Sequence, residues 1–537
     1  MKKYFTLLIL LLYNVSFSQE DAWVYFLDKP NAQTFLNNPL SILSQRALDR
    51  RAAQGIALDV MDAPIHQPYI DQITTIPGIT VMAKSKWLNA LHVRGTQQAI
   101  TNLTSQPFVS SVDFANKTLN ITGRTAQNPT SGLFQKAFSV QADFPYGQSA
   151  TQIQMLNGHL LHQQNYTGSG KIIAVLDAGF PGVNTTAPFA RIRNNNQIKG
   201  GYNFVNRNDN FYTGYQHGTQ VLSNMAAYVE NQLVGTAPDA SYYLFVTEDY
   251  NTENPLEESL WVEAAEMADS LGVDIINSSL GYSQFTNASY NYTYQDMDGN
   301  TTFVTRGANI AFTRGMIVVC SAGNEGAKPW KYITAPADGP NVLTIGAVNS
   351  SEVRSSFSSQ GPTSDGRIKP DVMAMGAGSV VTTETGELGF NNGTSFSSPT
   401  LAGLVACLWQ ALPDKTNQEI VQRIKQSADR YTNPDDFYGY GIPDFYSAIS
   451  LTLATDSFTL NGFSLYPNPT TANLTISASG QREASFVLYN NLGQEVIRKK
   501  LNDIQETTIS MENLKTGFYL YTIVSGTATF SGKIIKK

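Results

Sequence analysis

Asp177 is the first of four polar residues that stand at the end of an apolar run or at the start of a helical pattern. It follows the apolar run 172–176 and precedes Ala178 and Gly179. A carboxylate at the carboxyl end of a buried strand lies at the edge of a sheet, where functional sites gather. An aspartate before glycine is also typical of a turn. Asp177 alone therefore leaves a functional and a structural interpretation open.

His217 is the candidate general base. The residues after it, Val221, Leu222, Met225 and Ala226, have helical spacing, which places His217 at or near a helix N-terminus. The positive end of the helix dipole disfavours the imidazolium, so we expect a neutral ring that can accept a proton. Of the other four histidines, two lie in the first region and two are spaced as in helix packing: His66, His92, His159 and His162.

Ser395 and Asn324 complete the set. Apolar residues at helical spacing over 401–412 follow Ser395, so this serine lies at the mouth of a helix, where amide N–H groups can stabilise an oxyanion. Pro399 fits the first turn of that helix, and Gly393 allows close approach of the substrate. A serine here is also a common N-cap, and an asparagine beside glycine is also a common turn residue.

The four residues occur in the order Asp, His, Asn, Ser, and their surroundings resemble those of the subtilisin-like serine peptidases. The resemblance covers residues 147–450. The chain departs from the family pattern at Gln220, where a second histidine is usual, and at Phe396 and Ser397, where Met-Ala is common. None of these positions performs the chemistry, so we expect activity to survive. The matching stretches are 174–179, 217–219, 277–281, 321–326, 357–362, 369–371 and 393–399.

The resemblance implies a role for each of the four residues. Ser395 would attack the scissile carbonyl, and His217 would take its proton and pass it to the leaving amine. Asp177 would hold the imidazole in the required tautomer. Asn324 and the backbone N–H of Ser395 would bind the oxyanion. This chemistry requires no cofactor, and no metal ligands are predicted; structural calcium is common in the family, but the sequence does not reveal its ligands.

The resemblance also implies the substrate-binding residues. The segment Ser278, Ser279, Leu280 and Gly281 would pair with an extended substrate strand. The main specificity pocket would lie between two further stretches, with Ala322, Gly323 and Thr334 in its walls. Because these stretches contain no acidic residue, we expect a broad or apolar preference.

An α/β domain must position these residues. Apolar runs without alternation are typical of parallel strands buried on both faces, and helical patterns occur between them. The pattern therefore predicts an α/β domain with a parallel sheet, and the resemblance implies that this is a subtilisin-like catalytic domain over 147–455. The runs are 172–176, 242–246, 273–276, 317–320 and 342–345.

Two segments precede this domain. Residues 1–18 have the basic, apolar and small-residue order of a signal peptide. Residues 19–120 show strand and helix patterns, including a predicted helix over 40–53, and resemble the small α+β propeptide of subtilisins, an inhibitor and folding aid. The polar stretch 121–146 is a predicted linker, and we expect maturation within 122–148.

The C-terminal segment, residues 460–537, has strand patterns between turns and predicts a small β-sandwich. It resembles the C-terminal sorting domain of Bacteroidetes type IX secretion. The resemblance implies the type IX machinery as a partner and a secreted or outer-membrane, surface-attached protein that passes through the periplasm. A generic β-sandwich adhesion module is the alternative. The matching stretches are 465–469, 491–494, 517–519 and 532–537.

Composition excludes other function classes. The 537 residues are 42 % hydrophobic, 15 % charged and carry a net charge of −7, which fits globular domains and offers no basic face for nucleic acid. Cys320 and Cys407 are too few for a disulfide framework, and we expect buried thiols, although a bridge stays open. We expect a monomer without a membrane span that acts as a secreted serine endopeptidase on protein or peptide substrates. The alternative is a catalytically dead surface-binding protein with the same fold.

Overall fold

The computed structural model describes residues 19–120, 144–451, 463–466, 470–478, 484–490, 494–501, 506–525 and 528–536. The chain divides into two units, Met1–Ser450 and Leu451–Lys537. The predicted signal peptide and most of the predicted linker, residues 121–143, lie outside the described residues.

The N-terminal region, residues 19–120, is an antiparallel sheet accompanied by helices. Its strands run in the order β2-β3-β1-β4. The predicted α+β pattern of this region is confirmed. Its elements are β1 (Gln19–Phe26), α1 (Ala32–Leu36), α2 (Gln45–Ala53), α3 (Gln67–Thr74), β2 (Ile79–Ser85), β3 (Ala90–Thr96), α4 (Gln97–Asn102) and β4 (Val109–Phe114).

The predicted helix over 40–53 is wrong in its first part. Pro39–Ser41 forms a short 3-10 turn, and α2 begins only at Gln45. Ser44 sets this boundary, because its Oγ accepts a hydrogen bond from the Ala47 N–H at 3.2 Å and so caps the helix. Helix α3 was not predicted from the sequence. Only Ile73 among its residues is buried, so its apolar pattern is weak.

The large α/β domain, described over residues 144–451, contains a parallel sheet of seven strands in the order β13-β12-β11-β10-β5-β9-β6. Two short hairpins, β7-β8 and β14-β15, lie outside this sheet. The strands are β5 (Ile172–Asp177), β6 (Ile198–Asn203), β7 (Tyr228–Val229), β8 (Leu233–Val234), β9 (Ser241–Val246), β10 (Ile275–Ser278), β11 (Ile317–Ser321), β12 (Val342–Val348), β13 (Val372–Met375), β14 (Ser379–Thr382) and β15 (Leu388–Asn391).

Helices cover both faces of the parallel sheet. Ile173 and Val175 of β5 belong to one apolar cluster, with residues of α8 and α11, whereas Ala174 and Leu176 belong to a second, with residues of α9 and α10. Both faces of each strand are therefore apolar. The helices are α5 (Ala150–Gln154), α6 (Gly158–Gln163), α7 (Ala190–Asn194), α8 (His217–Ala226), α9 (Leu256–Leu271), α10 (Phe303–Thr313), α11 (Thr394–Ala411), α12 (Asn417–Ser427) and α13 (Phe445–Ser450).

All five predicted apolar runs belong to the parallel sheet, as strands β5, β9, β10, β11 and β12, which confirms the predicted α/β class. The sequence analysis missed β6 and β13. Strand β6 contains Gly200 and Gly201 instead of an apolar run, and β13 is only four residues long. Pro399 lies inside α11, beyond its first turn, so its predicted position in that helix is wrong.

The N-terminal sheet packs on the large domain through one of its faces. Successive side chains of β1 point to opposite faces. Val24 packs with Ile73 of α3 inside the N-terminal region. Trp23 points the other way, stacks on Phe303 of α10 with ring centroids 5.0 Å apart, and shares an apolar cluster with Trp261 of α9. This contact with α9 and α10 is called the sheet contact below.

The C-terminal unit contains two antiparallel sheets, β16-β17-β20 and β19-β18-β21-β22. Side chains of both sheets share one apolar cluster, as in the predicted sandwich. The strands are β16 (Phe463–Tyr466), β17 (Asn473–Ala478), β18 (Ala484–Tyr489), β19 (Glu495–Leu501), β20 (Glu506–Ser510), β21 (Gly517–Ser525) and β22 (Ala528–Lys536).

Both cysteines, Cys320 and Cys407, are buried free thiols. Burial raises the pKa of the Cys320 thiol to about 12. No helix among the described residues is long and apolar enough to cross a membrane. Over the same residues, no three His, Cys, Asp or Glu side chains are grouped so that they could hold a metal ion.

Candidate active site

The strand order itself selects one point on the carboxyl edge of the sheet. Strand β5 lies between β10 on one side and β9 on the other, so the chain winds outward in opposite directions from this point. Such a switch in strand order leaves a crevice at the carboxyl ends of the strands. Asp177 is the last residue of β5 and Ser278 the last of β10, so both lie at that crevice.

Asp177 and His217 form a hydrogen-bonded pair. His217 is the first residue of α8, and its Nδ1 lies 2.7 Å from Asp177 Oδ1. The Asp177 carboxylate is fully buried, whereas the His217 side chain is 25 % exposed. Asp177 Oδ1 also accepts the Ala178 N–H at 2.8 Å. A buried carboxylate on Nδ1 fixes the ring so that Nε2 is the nitrogen available to accept a proton.

The expected effect of the helix N-terminus on His217 is outweighed. Burial disfavours the charged ring, but the Asp177 carboxylate and, more weakly, Glu248 favour it, so that the pKa of His217 is raised above its ordinary value. A carboxylate in direct contact acts more strongly on the imidazolium than the partial charge of a helix end. The ring therefore loses its proton at a higher pH than an isolated histidine.

Ser395 is the second residue of α11 and forms a reciprocal pair with Ser279. Its Oγ donates to the Ser279 carbonyl at 3.3 Å, and Ser279 Oγ donates to the Ser395 carbonyl at 2.9 Å. Pro399 explains the second bond: it has no N–H, so the Ser395 carbonyl four residues earlier lacks its usual helical donor. The Ser279 hydroxyl supplies that donor and ties the start of α11 to the segment after β10.

Asn324 is oriented by Thr394. Its Oδ1 accepts the Thr394 N–H at 2.9 Å and the Thr394 hydroxyl at 3.0 Å, which leaves Nδ2 to donate elsewhere. A Cβ added at Gly393 would lie 3.6 Å from Asn324 Nδ2. Glycine at this position therefore keeps open the space in front of the amide. Nδ2 of Asn324 and the N–H groups at the start of α11 can together bind a developing negative charge.

A cavity of about 440 Å³ lies beside these groups. The residues predicted from sequence that line it are Ser279, Leu280, Gly281, Gly323, Asn324, Thr334 and Ser395. Two more residues that the sequence analysis placed at the substrate site do not line the cavity. Ser278 is fully buried, and its Oγ accepts the indole N–H of Trp261 at 2.9 Å. Ala322 is also fully buried, and its N–H donates to the Ile345 carbonyl.

Charged residues also line the cavity, and the sequence analysis missed them. Glu325 forms an ion pair with Lys328 at 2.9 Å, and Glu253 lies on the same lining. Glu325 could have been predicted, because it directly follows Asn324 in the same motif. Glu253 could not, because it lies far away in the sequence and outside any motif. Ser283, Gln284 and Ser321 complete the lining.

Glu248 is a further acidic group near the pair of Asp177 and His217. The Thr247 N–H donates to the Asp177 carbonyl at 3.0 Å, which places Glu248 next to the end of β5. Glu248 Oε1 accepts the Tyr282 hydroxyl at 2.7 Å and the Thr247 hydroxyl at 2.8 Å. Burial raises the pKa of Glu248 to about 8. Glu248 follows the apolar run 242–246 much as Asp177 follows 172–176, a signal that the sequence analysis did not use.

Three family models match separate parts of the chain. Residues 168–441 match the subtilase family, residues 21–131 match the peptidase S8 propeptide domain of Bacteroidota, and residues 464–537 match the secretion system C-terminal sorting domain. The three matches fall on the large α/β domain, the N-terminal region and the C-terminal unit.

Curated proteins with similar sequences include bacterial subtilisins. Subtilisin E of Bacillus subtilis (strain 168) is 30 % identical over 369 residues, which are 68 % of this chain and 82 % of that protein. Subtilisin of Bacillus pumilus is 32 % identical over 302 residues, which are 56 % of this chain and 96 % of that protein. Among solved structures, "Crystal structure of MycP1 with the N-terminal propeptide removed" matches 57 % of this chain and 98 % of its own, with 22 % identity and a TM-score of 0.46.

Proposed function

The chain belongs to the subtilase family of serine endopeptidases, and from that premise we propose that Asp177, His217 and Ser395 act together as its catalytic triad. The proposal is supported by the arrangement of four side chains near the carboxyl ends of the parallel strands. His217 is hydrogen-bonded to Asp177, and Ser395 and Asn324 border one cavity.

The proposed triad implies a defined sequence of proton transfers. The Ser395 hydroxyl exchanges its bond with the Ser279 carbonyl for one with His217 when substrate enters. Ser395 Oγ then attacks the scissile carbonyl carbon, and its proton moves to His217 Nε2. Collapse of the tetrahedral intermediate breaks the C–N bond, and the same proton passes to the leaving amine. Water then repeats the steps on the acyl-enzyme and releases the acid product.

Asn324 supplies the oxyanion donor in this mechanism. Its Nδ2 and the backbone N–H of Ser395 donate to the substrate oxygen as negative charge develops on it. Both donors are held before substrate binds, since Thr394 fixes the Asn324 carbonyl and α11 fixes the backbone. Preorganised donors of this kind stabilise the transition state without a cost of reorganisation.

The cavity supports a broad or apolar preference for the substrate residue before the scissile bond. Ser279, Leu280 and Gly281 offer one wall, and Gly323 and Thr334 another. Glu325 and Lys328 compensate each other's charge at the rim. With Glu253 as a further acidic group, the lining offers a charged substrate side chain both attracting and repelling groups, and screening by water keeps the selection for either charge weak.

The flanking domains define how the enzyme is made and where it acts. The propeptide domain makes the protein a zymogen, and the sorting domain indicates export to a secreted or cell-surface location. We propose that maturation cuts within 122–148 and that the type IX machinery carries the chain from the periplasm across the outer membrane. Subtilases need no cofactor for catalysis. We propose that the mature enzyme acts as a monomer on proteins and peptides.

Hydrolysis of a denatured protein substrate by the processed enzyme tests the proposal. Ser395→Ala should lower turnover by about 10⁶-fold, the size of the loss when the nucleophile of subtilisin is removed. Ser397→Ala is the matched control, because Ser397 is buried in the same helix and its hydroxyl bonds only the Thr394 carbonyl. Full activity of Ser395→Ala would refute the triad, whereas equal losses in both variants would indicate damage to α11.

A further inference from the structure

The propeptide contacts the peptidase through a second element, helix α2, which lies next to the sheet contact and away from the active site. Helix α2 lies against the C-terminal end of α9 and the start of β10. Asp274 precedes β10 and Ser278 ends it, so this contact lies about 10–13 Å along the strand from the catalytic edge. The two ends of β10 thus serve different contacts.

Two adjacent arginines of α2 converge on one aspartate of α9. Arg50 Nη2 lies 2.5 Å from Asp269 Oδ1, and Arg51 Nη2 lies 2.7 Å from Asp269 Oδ2. The Asp269 side chain has no exposed surface, and the two arginine side chains are at most 4 % exposed. Arg50 also donates to the Val273 carbonyl. Both oxygens of a fully buried carboxylate are thus occupied by guanidinium groups from the propeptide.

The same network also contains an arginine of the peptidase that pairs with aspartates of the propeptide. Arg314 of the peptidase lies 2.9 Å from Asp59 Oδ2 and 3.5 Å from Asp62 Oδ2, both in the propeptide. Asp62 is fully buried and also pairs with Arg51 at 2.7 Å. Each partner therefore contributes charges of both signs. We call Arg50, Arg51, Asp62, Asp269 and Arg314 the arginine anchor.

The backbone geometry fits this docking. Gly272, the C-cap of α9, has a left-handed φ of +80°, which favours glycine. A Cβ added there would lie 2.8 Å from the Cβ of Arg46 on α2. Gln54, just after α2, donates to the Gly315 carbonyl at 2.9 Å and accepts the Asn417 N–H at 2.9 Å. The end of α2 is therefore bonded to the loop after α10 and to the first residue of α12.

We propose that the C-terminal end of α9, with Asp269 and Arg314, is a second docking surface for the chain's own propeptide, and that the arginine anchor sets how long the propeptide stays bound after the linker is cut. The proposal rests on the proposed maturation within 122–148. Both partners regain water when they separate, so the anchor adds less affinity than its contacts suggest. Removing one partner of a buried charge pair leaves the other uncompensated in the complex and greatly speeds dissociation.

Two substitutions and one control test the proposal. Arg50→Met changes a propeptide residue whose side-chain hydrogen bonds, among the residues that the structure describes, go only to the peptidase, and Asp269→Asn changes the peptidase and leaves the propeptide intact. Each should speed dissociation of the cut propeptide by about 100-fold. Asp71→Asn is the control, since Asp71 is an exposed residue of α3 whose carboxylate accepts a hydrogen bond from Gln67 inside the propeptide, and it should change the rate by less than about fivefold.

The full precursor with Ser395→Ala and a foreign protease site in 122–148 provides the starting material. After cutting, separation of the two pieces is followed by size exclusion in urea below the unfolding transition, at a concentration where the unsubstituted complex separates within hours. Since a foreign protease makes the cut and the readout is the separation of the two pieces, failure of the proposed triad does not affect the result. Near-ultraviolet circular dichroism confirms that each precursor is folded.

The outcomes separate the two contacts. Faster separation of both Arg50→Met and Asp269→Asn, with Asp71→Asn close to the unsubstituted complex, supports the second docking surface. If Arg50→Met does not fold, Asp269→Asn decides alone, because its propeptide is unchanged. Separation of Asp269→Asn at the unsubstituted rate would overturn the proposal and show that the sheet contact alone holds the cut propeptide.

Discussion

The two edges of the parallel sheet use polar side chains in different ways. At the carboxyl edge, Ser395 donates over a long 3.3 Å to Ser279, and among the described residues Asp177 Oδ2 has no hydrogen-bond partner. At the amino edge, both oxygens of Asp269 are taken by short ion pairs at 2.5 and 2.7 Å. At the carboxyl edge the polar groups can still change hydrogen-bond partners. At the amino edge the polar groups are fixed in a network of ion pairs.

This difference follows from what each edge must do. A nucleophile and a base must exchange protons and partners during a reaction, so their resting contacts cannot be too strong. A docking surface gains its specificity from charges that match only one partner when water is excluded. The comparison therefore predicts that changes at the carboxyl edge alter turnover, whereas changes at the amino edge alter the lifetime of a complex.

After Ser395→Ala, the largest effect is expected from Asp177→Asn. The amide cannot hold the required tautomer of His217 or stabilise its charged form, so kcat should fall by about 10⁴-fold, as for the equivalent change in other serine peptidases. Asp338→Asn is the control, since Asp338 is also a fully buried aspartate but accepts the Gly299 N–H and the Thr305 hydroxyl instead of contacting His217. Steady-state kinetics on a chromogenic peptide measures both. A loss below tenfold for Asp177→Asn would remove Asp177 from the triad.

The next effect is expected from Asn324. Asn324→Asp keeps an acceptor for Thr394 but replaces the Nδ2 donor, so kcat should fall by at least about 10²–10³-fold with little change in KM. Asn324→Ala removes both the donor and the contact with Thr394. If the aspartate variant retains activity while the alanine variant loses it, Asn324 orients Thr394 and does not bind the oxyanion.

Glu248→Gln should change the pH profile more than the maximum rate. The glutamine carbonyl can still accept the hydroxyls of Tyr282 and Thr247, but glutamine cannot carry the negative charge that Glu248 gains as the pH approaches its own pKa of about 8. That charge helps to raise the pKa of His217, so its removal lowers the pKa of His217. The acid limb of kcat/KM should therefore move only slightly to lower pH, because Glu248 is largely protonated below its own pKa.

Glu258→Gln is the matched control for this profile. Glu258 is another buried glutamate that accepts a tyrosine hydroxyl, from Tyr292 at 2.6 Å, and it is not among the groups that shift the pKa of His217. The acid limb of kcat/KM for Glu258→Gln should coincide with that of the unsubstituted enzyme. A limb that stays in place in Glu248→Gln, or shifts equally in both variants, would exclude the electrostatic role of Glu248.

The smallest effect is expected from Lys328→Ala at the cavity rim. Removing the lysine leaves Glu325 without its partner, so substrates with a basic residue before the scissile bond should gain about two- to fivefold in kcat/KM. The gain is small because the Lys328 side chain is 62 % exposed and water screens its charge. Comparison of peptides with lysine and leucine at that position measures it. An equal change for both peptides would exclude the charge effect.

Sequence reasoning was most successful where one segment carries its own signal. The apolar runs predicted five of the seven strands, and the helical spacing after His217 and Ser395 predicted α8 and the start of α11. These signals are local, because each depends on residues within two or three turns. The short or glycine-containing strands β6 and β13 lack such a signal and were missed.

Contacts between distant segments could not be predicted in the same way. The neutral state expected for His217 considered only its own helix, whereas the carboxylate that raises its pKa comes from β5. Arg50 and Arg51 are unremarkable on a surface helix until Asp269 is brought beside them. The Glu253 side chain reaches the cavity from a loop that has no motif. Packing, and not composition, decides these environments.

Covalent labelling of the processed enzyme with a fluorophosphonate tests the central claim most directly. An activated serine beside a neutral histidine reacts with this probe, so peptide mapping should place the label on Ser395 alone. Ser395→Ala should abolish both the label and hydrolysis, and Ser397→Ala should retain both. A label on another serine, or no label in a processed and folded enzyme, would contradict the assignment of Ser395 as the nucleophile.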